Sequence, residues 1–331
     1  MGRFAGRPLR ERSRSGRPSR RIAIAVTVCG GAAVFIGAAD GGASGKRPVV
    51  DHRARLFTLR LGAGTASPVT SVRRYTFLSS PRYARDGRLA FTAQTCPNCH
   101  HLLLVLAAGR LRTLSHNAVR VVWYPRGDRL LFVHTSKLGT TLYAVNGEGR
   151  GLSSVANERD ADGVSSLDTP AISPDGKRIV YSREIEPIES RELFIRTASG
   201  GKARAITPLP LWSIEPSFSP DGRRIAFACQ LRTMSYGICV MGADGKRRKV
   251  LTRGPEDHNP TFAPDGRTIV FSSTRGAAAF GIRSLWAVGA DGRGLRRLTR
   301  GADDSEPAFS SDGKQLVFVR RGLHHIKVGG G

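Results

Sequence analysis

The sequence predicts an all-β chain of repeated four-stranded antiparallel sheets stacked around an axis, behind an N-terminal signal or anchor segment. Three observations predict it. A turn motif recurs six times, with its glycine at Gly87, Gly127, Gly176, Gly222, Gly266 and Gly313, in steps of 40, 49, 46, 44 and 47 residues. A second hairpin with a Gly/Asp-rich centre follows each turn. Composition agrees: of 331 residues 40% are hydrophobic, Gly (39) and Pro (18) are abundant, and aromatics make up only 7%. Such a chain has many tight turns and short strands rather than long helices.

Taken from the start, the chain opens on a targeting segment. Residues 1–21 hold eight Arg and one acid, Glu11, and run into the 18 uncharged residues Ile22–Ala39. That length sits at the short edge of a bilayer span. Gly37 and Ala39 supply small residues for cleavage after Ala39, and an uncleaved anchor fits the same residues. The arginines favour the cytoplasm, which leaves the bulk of the chain outside. "SRRIAIA" (19–25) is a weak twin-arginine signal, and Cys29, preceded by Val28, a poor lipoprotein cysteine. Residues 40–54 read as a linker. The net charge of +26 contains no further Lys/Arg block of five or six, so the diffuse basic surface is not read as a nucleic-acid site.

The repeat unit comes next. "TPAISPDGKRIVYS" (169–182), "EPSFSPDGRRIAFA" (215–228), "NPTFAPDGRTIVFS" (259–272) and "EPAFSSDGKQLVFV" (306–319) align without gaps, after the degenerate copies "SPRYARDGRLAFT" (80–92) and "RVVWYPRGDRLLFV" (120–133). A short strand a ends in Ser-Pro-Asp-Gly, where Pro presets φ, Asp bonds locally and Gly takes the left-handed conformation. An alternating strand b follows with one face buried. Strands c and d form the second hairpin, as in "ICVMGADGKRRKVLT". One such sheet cannot bury both its faces, whereas radial stacking covers them.

These copies resemble the TolB-type β-propeller family, whose blades carry [WF]-S-P-D-G followed by I-[AV]-[FY], and the resemblance spans about residues 55–331. It implies a six-bladed β-propeller. Members with a preceding α/β domain or a following hydrolase domain differ from this chain: residues 40–54 leave no room for the first, and no G-x-S-x-G nucleophile elbow appears. Ring closure is expected to use both ends. "LFTLRLGAGTASPVTS" (56–71) reads as a c–d hairpin, and the C-terminal "HHIKVGGG" (324–331) reads as a c strand and turn, so which c-like segment enters the last blade stays open.

The a–b and c–d turns share one face and are short. The b–c and d–a loops share the other and vary, and binding residues favour variable loops on a rigid scaffold. Strand a is innermost, so the residues before its Pro ring the channel mouth: Ser80, Arg120, Thr169, Glu215, Asn259 and Glu306, with Asp168, Asp257 and Asp304 close behind. The acidic arc fits a cation or a basic partner segment, and fits equally side chains that cap strand ends and bond loop amides. Trp212 is a candidate aromatic anchor or inter-blade packing. His258, His134, His100 and His101 fall on the same face, without H-x-H or H-E-x-x-H spacing.

The expectation is an exported, non-catalytic, monomeric propeller that binds a protein, peptide or envelope component through this face. It has no cofactor and no nucleic acid, and meets the membrane only through its N-terminus. A metal-dependent polysaccharide lyase or hydrolase is the alternative. "CPNCH" (96–100) also fits covalent haem attachment, half a zinc site or a disulfide. The disulfide is preferred, because Cys229 and Cys239 flank the equivalent loop of blade four, and one cause, oxidation outside the cytoplasm, explains both pairs.

Overall fold

The structure is a computed structural model that describes residues 48–325 except 63–64, 70–71, 73–74, 76, 97–98, 158–165, 186–189, 209–211, 233–234, 278–280 and 301–302. For residues 48–53 and 323–325 it describes only the backbone. The expected signal or anchor segment lies outside the described residues. The chain divides into two compact units between Ala43 and Ser44, and all described residues belong to the second.

Strands β1 (Pro48–Arg60) and β2 (Ala66–Pro68) come first in the chain but belong to the last blade. Blade one is β3 (Phe77–Tyr83), β4 (Leu89–Gln94), β5 (Leu102–Ala107) and β6 (Arg110–His116). Blade two is β7 (Ala118–Trp123), β8 (Arg129–Ser136), β9 (Gly139–Asn146) and β10 (Ser153–Ala156). Blade three is β11 (Leu167–Ile172), β12 (Arg178–Ile185), β13 (Ser190–Thr197) and β14 (Gly200–Ala205). Blade four is β15 (Ser213–Phe218), β16 (Arg224–Arg232), β17 (Ser235–Gly242) and β18 (Lys249–Val250). Blade five is β19 (Asp257–Phe262), β20 (Thr268–Ser273), β21 (Ser284–Gly289) and β22 (Arg296–Arg297). Blade six is β23 (Asp303–Phe309) and β24 (Gln315–His325), completed by β1 and β2. The fold is therefore the expected six-bladed β-propeller of four-stranded antiparallel blades. Among the described residues no helix is long and apolar enough to cross a membrane.

Closure differs from expectation at the C-terminus. Leu323–His325 do not start a strand c; they extend strand b, pairing with Val50, Val49 and Pro48 of β1. The N-terminal segment supplies both c and d, so strand c begins at Pro48, inside the segment read as a linker. A thirteen-residue strand beside an eleven-residue one joins the first and last described strands in one hydrogen-bonded ladder. No hairpin turn joins them, so the ladder itself must hold the ring shut.

The core is six wedges, one between each pair of neighbouring blades. Strand b accordingly buries both faces, not one: Ile225, Ala226, Phe227, Ala228 and Cys229 are all buried. Each b strand places one fully buried ring, Phe91, Phe132, Tyr181, Phe227, Phe271 or Phe318, against the preceding blade. At blade four the opposite side of the strand is alanine, so in the wedge with blade five the large Phe271 meets the small Ala226.

The Ser-Pro-Asp-Gly turns form as their chemistry predicts. In blade three, Gly176 N–H donates to the Ser173 carbonyl at 2.8 Å with φ at +72°. Asp175 accepts from Ser173 Oγ and, at 3.0 Å, from Lys177 N–H. The turns also stack: a Cβ on Gly222 would meet Pro174 of the preceding blade at 3.3 Å, and one on Gly313 would meet Pro264 at 3.4 Å. Over three of these junctions lies an arginine. Arg88, Arg178 and Arg224 place their guanidinium 4.8, 5.5 and 5.4 Å from the centroids of Trp123, Phe218 and Phe262 of the next blade. They also donate to the Gly127, Gly222 and Gly266 carbonyls. Part of the basic excess is thus structural, and turn-on-turn contacts line the turn face.

Candidate functional site

The channel mouth on the loop face is built from an irregularity repeated six times. In every strand a the pairing register shifts at the residue before the proline position. Ser80, Arg120, Thr169, Glu215, Asn259 and Glu306 sit there with φ between +45° and +58°. A non-glycine residue in this region costs on the order of 1 kcal/mol, so something must hold it. The holder is the neighbouring blade. Glu215 N–H donates to Thr169 Oγ1 at 3.2 Å, Asn259 N–H to Glu215 Oε2 at 2.7 Å, and Ser80 N–H to Glu306 Oε2 at 2.5 Å. The left-handed turn thus lets ring side chains grip the next blade's backbone. Five of the six residues precede proline, which disfavours the right-handed helical region for them.

Arg120 spans the remaining gap. Its Nε lies 3.4 Å from Asp168 Oδ1 in blade three, and its Nη1 lies 3.7 Å from Glu306 Oε1 in blade six, across the small Ser80 of blade one. Burial works against its charge, but Asp168, Glu306 and Glu215 outweigh it and hold its pKa above the ordinary arginine value.

The densest cluster spans blades three to five. Glu215 accepts from Asn259 Nδ2 at 2.8 Å and faces His258 Nδ1 at 3.3 Å, while His258 Nε2 meets Glu256 at 2.8 Å. Burial opposes both charges. For Glu215 the charge and hydrogen bond of His258, then Asn259 N–H and Arg120, prevail and pull its pKa down to about 2. For His258 the charge and hydrogen bond of Glu215 and the bond to Glu256 prevail over Arg283 and push its pKa up to about 9. His258 is therefore an imidazolium at neutral pH. Tyr236 packs on it at 4.8 Å between ring centroids, and burial, then Glu256 and Glu215, raises the phenol's pKa. Alongside, Arg191 reaches Glu184 at 2.7 Å and Asp168 at 3.9 Å and lies 5.6 Å from the Trp212 ring centroid. Trp212 is thus tied to the mouth through Arg191.

Asp257 and Asp304 do not stand at the mouth. Both are fully buried: Asp304 makes a two-pronged pair with Arg320 at 2.6 and 2.8 Å, and Asp257 bonds Arg275 at 3.2 Å and Thr252 Oγ1 at 2.6 Å. Two residues before the left-handed position the side chain points into the wedge, the opposite of what "close behind" implied. The acidic arc is neutralised as a whole, because Glu215, Asp168, Glu306, Asp257 and Asp304 each face a cation. A free cation site is not what these carboxylates make. Among the described residues no three His, Cys, Asp or Glu side chains are grouped to hold a metal ion. Both ring nitrogens of His258 already face carboxylates.

Sequence reading missed Arg82. It lies two residues past Ser80, where the other copies have Val122, Ala171, Ser217, Thr261 and Ala308. Burial lowers its pKa, against the pull of Glu306 and Glu215 and with the push of Arg120, which puts it in the field of the ring. One long side chain in a column of short ones was the available signal.

The loop after β4 carries the cysteine motif. Cys96 and Cys99 sulfurs lie 2.09 Å apart, and those of Cys229 and Cys239 lie 2.05 Å apart, both disulfide distances. The second pair is not in a loop. Strand β16 runs on to Arg232, and both residues are buried in the wedge between blades three and four. The first loop is held further by Gln94 Nε2 donating to the Cys99 carbonyl at 2.7 Å. His100 is exposed; His101 is half-buried, and burial and Arg120 lower its pKa, which places it beside the mouth. His134 packs edge-on against Tyr143 at 5.4 Å.

Comparison with known proteins agrees with this geometry. The family model described as the TolB beta propeller domain matches residues 161–329, more than half of the chain, and the chain belongs to that family. No curated protein matches it. It is similar to a solved putative TolB from Agrobacterium tumefaciens, at 19% identity and a TM-score of 0.66, covering 82% of this chain and 98% of that one. It is also similar to TolB from Acinetobacter baumannii, at 16% identity and a TM-score of 0.56, covering 81% of this chain but only 63% of that one. An oligogalacturonate lyase in complex with manganese shares the fold at 17% identity and a TM-score of 0.52, covering 80% of this chain and 78% of that one.

Proposed function

We propose that this TolB-family propeller is exported and non-catalytic, and binds a protein or peptide segment of the cell envelope at the channel mouth on its loop face. The observation that carries the reading is the contrast between its faces. The turn face is tied by turn-on-turn contacts and arginine clamps at three junctions. The loop face gathers Arg120, Asp168, Glu306, Arg191 and Trp212 around a ring whose backbone is locked by neighbouring blades. A rigid rim with partly exposed charges of both signs suits a polypeptide that presents both donors and acceptors. Two cysteine pairs at disulfide distance support an oxidising compartment.

The test is site-specific photo-crosslinking in cells. Probes replace His101, Asp168 or Trp212 on the loop face and, as controls, Lys177 or Lys246 on the turn face. A discrete adduct from the loop-face probes alone is expected. Adducts confined to the turn face, or none from any position, would reject the reading.

A further inference from the structure

Three of the turn face's six junctions depart from the arginine pattern of the other three, and one of them opens a cleft. At three junctions an arginine two residues past the turn glycine, or one past it in the shorter first copy, covers the aromatic ring of the next blade and donates to that blade's turn carbonyl. Between blades five and six the ring is present as Phe309 and the turn glycine as Gly313, but the arginine position is Thr268. The junction between blades two and three has Ile172 in place of the ring, and that between six and one has the longer Gln315 in place of the arginine.

A cleft of about 300 Å³ opens at the blade five–six junction. It is lined by Thr268, Phe309 and Gly313 and, from the same two turns, by Pro264, Asp265 and Asp312. Each matches, position for position, a residue around Arg224 one junction earlier: Phe309 stands for Phe262, Gly313 for Gly266 and Pro264 for Pro220. The two aspartates use their side chains on turn amides, Asp265 on Arg267 and Thr268 N–H and Asp312 on Lys314 N–H. As carboxylates they keep further lone pairs for a cation. Arg296 also lines the cleft, so the lining carries two negative charges against one positive.

We propose that this cleft is a receptor for an arginine side chain presented by an extended segment of a partner polypeptide. The guanidinium lies over Phe309 and donates to the Gly313 carbonyl, as Arg224 does over Phe262 and to Gly266 within the chain. Two properties select arginine over lysine: a planar cation stacks on a ring face, and its fork of donors bonds a carbonyl while it stacks. The occupant is inferred from three filled copies of the same site in one molecule. The inference concerns the face opposite the channel mouth and stands apart from the loop-face reading.

The experiment titrates the protein with the peptide N-acetyl-Gly-Arg-Gly-amide and follows the resonances of Thr268, Phe309 and Gly313 by NMR. Saturable shifts confined to the cleft are expected, with the lysine and citrulline peptides about tenfold weaker. Thr268→Arg supplies the missing clamp from within. It should weaken the arginine peptide by more than about tenfold, and Phe309→Leu, which keeps apolar bulk, by about fivefold. Equal binding of the lysine peptide, shifts mapping elsewhere, no saturation at about 10 mM, or undiminished binding to folded Thr268→Arg would each overturn the proposal.

Discussion

His258→Gln removes the imidazolium that holds Glu215 and Glu256 together while keeping a hydrogen-bonding side chain of similar reach. The size of the effect follows from the His258 pKa, which rises from an ordinary 6.5 to about 9 in the fold. At about 1.4 kcal/mol per pH unit that is worth about 3 kcal/mol. Because the folded value lies above the unfolded one, the contribution is complete below about pH 6.5 and is lost as pH rises through about 9. Glu215, pulled down to about 2 from 4.5, reports the same interaction from the other side. Its share is present above about pH 4.5 and is lost as pH falls through about 2, so the two figures are not added. Urea unfolding of wild type and His258→Gln should therefore differ by about 3 kcal/mol near pH 6. With a slope of about 3 kcal/mol/M that is a midpoint shift of about 1 M. Near pH 9.5 the gap should close to below about 1 kcal/mol, leaving the packing on Tyr236. A gap that stays constant between these pH values, or widens on the alkaline side, would refute the electrostatic account and leave His258 as a packing residue.

Further outcomes follow from the scaffold. Phe227→Ala, which empties the wedge between blades three and four, should cost about 4 kcal/mol in chemical unfolding, and a loss below about 1 kcal/mol would mean the wedge collapses to fill the space. Arg224→Met keeps the stem but removes the guanidinium over Phe262 and the bond to the Gly266 carbonyl; a loss of about 1–2 kcal/mol is expected, and unchanged stability would empty the clamp of meaning. Intact mass before and after reduction under denaturing conditions should rise by about 4 Da, about two hydrogens per disulfide. Ser at both Cys229 and Cys239, which close a loop of sequence separation 10, should destabilise by about 3 kcal/mol. Ser at both Cys96 and Cys99, at separation 3, should destabilise by about 2 kcal/mol, and the reverse ranking would contradict a core role for the longer bridge. Deleting residues 48–68 removes strands c and d of blade six and should abolish cooperative unfolding; a sharp transition at the wild-type midpoint would show that the ring closes without them.

By itself the sequence determined the number of blades, the turn chemistry and the position of the mouth. Six Ser-Pro-Asp-Gly-like turns with one spacing can satisfy their flanking strands only by stacking sheet on sheet, and the residue before Pro could be placed at each strand's inner end. The sequence also paired the cysteines, because proximity along a hairpin is local information. Tertiary structure decided what depends on the neighbouring blade. Whether Asp304 faces water or Arg320 turns on a left-handed bulge two residues away, which reverses the side chain's direction without changing the alternation pattern. Strand b is buried on both faces because a second sheet covers the side an isolated hairpin would leave wet. The choice of N-terminal strand c for the last blade rests on a long-range ladder between Pro48–Arg60 and Gln315–His325, and no short-range signal encodes that register. The mouth carries the same lesson. Its residue types were legible one by one, but that each carboxylate there meets a cation from another strand or another blade is a property of the assembled ring, because stacking brings blade five beside Glu215 and only closure brings blade six beside Arg120.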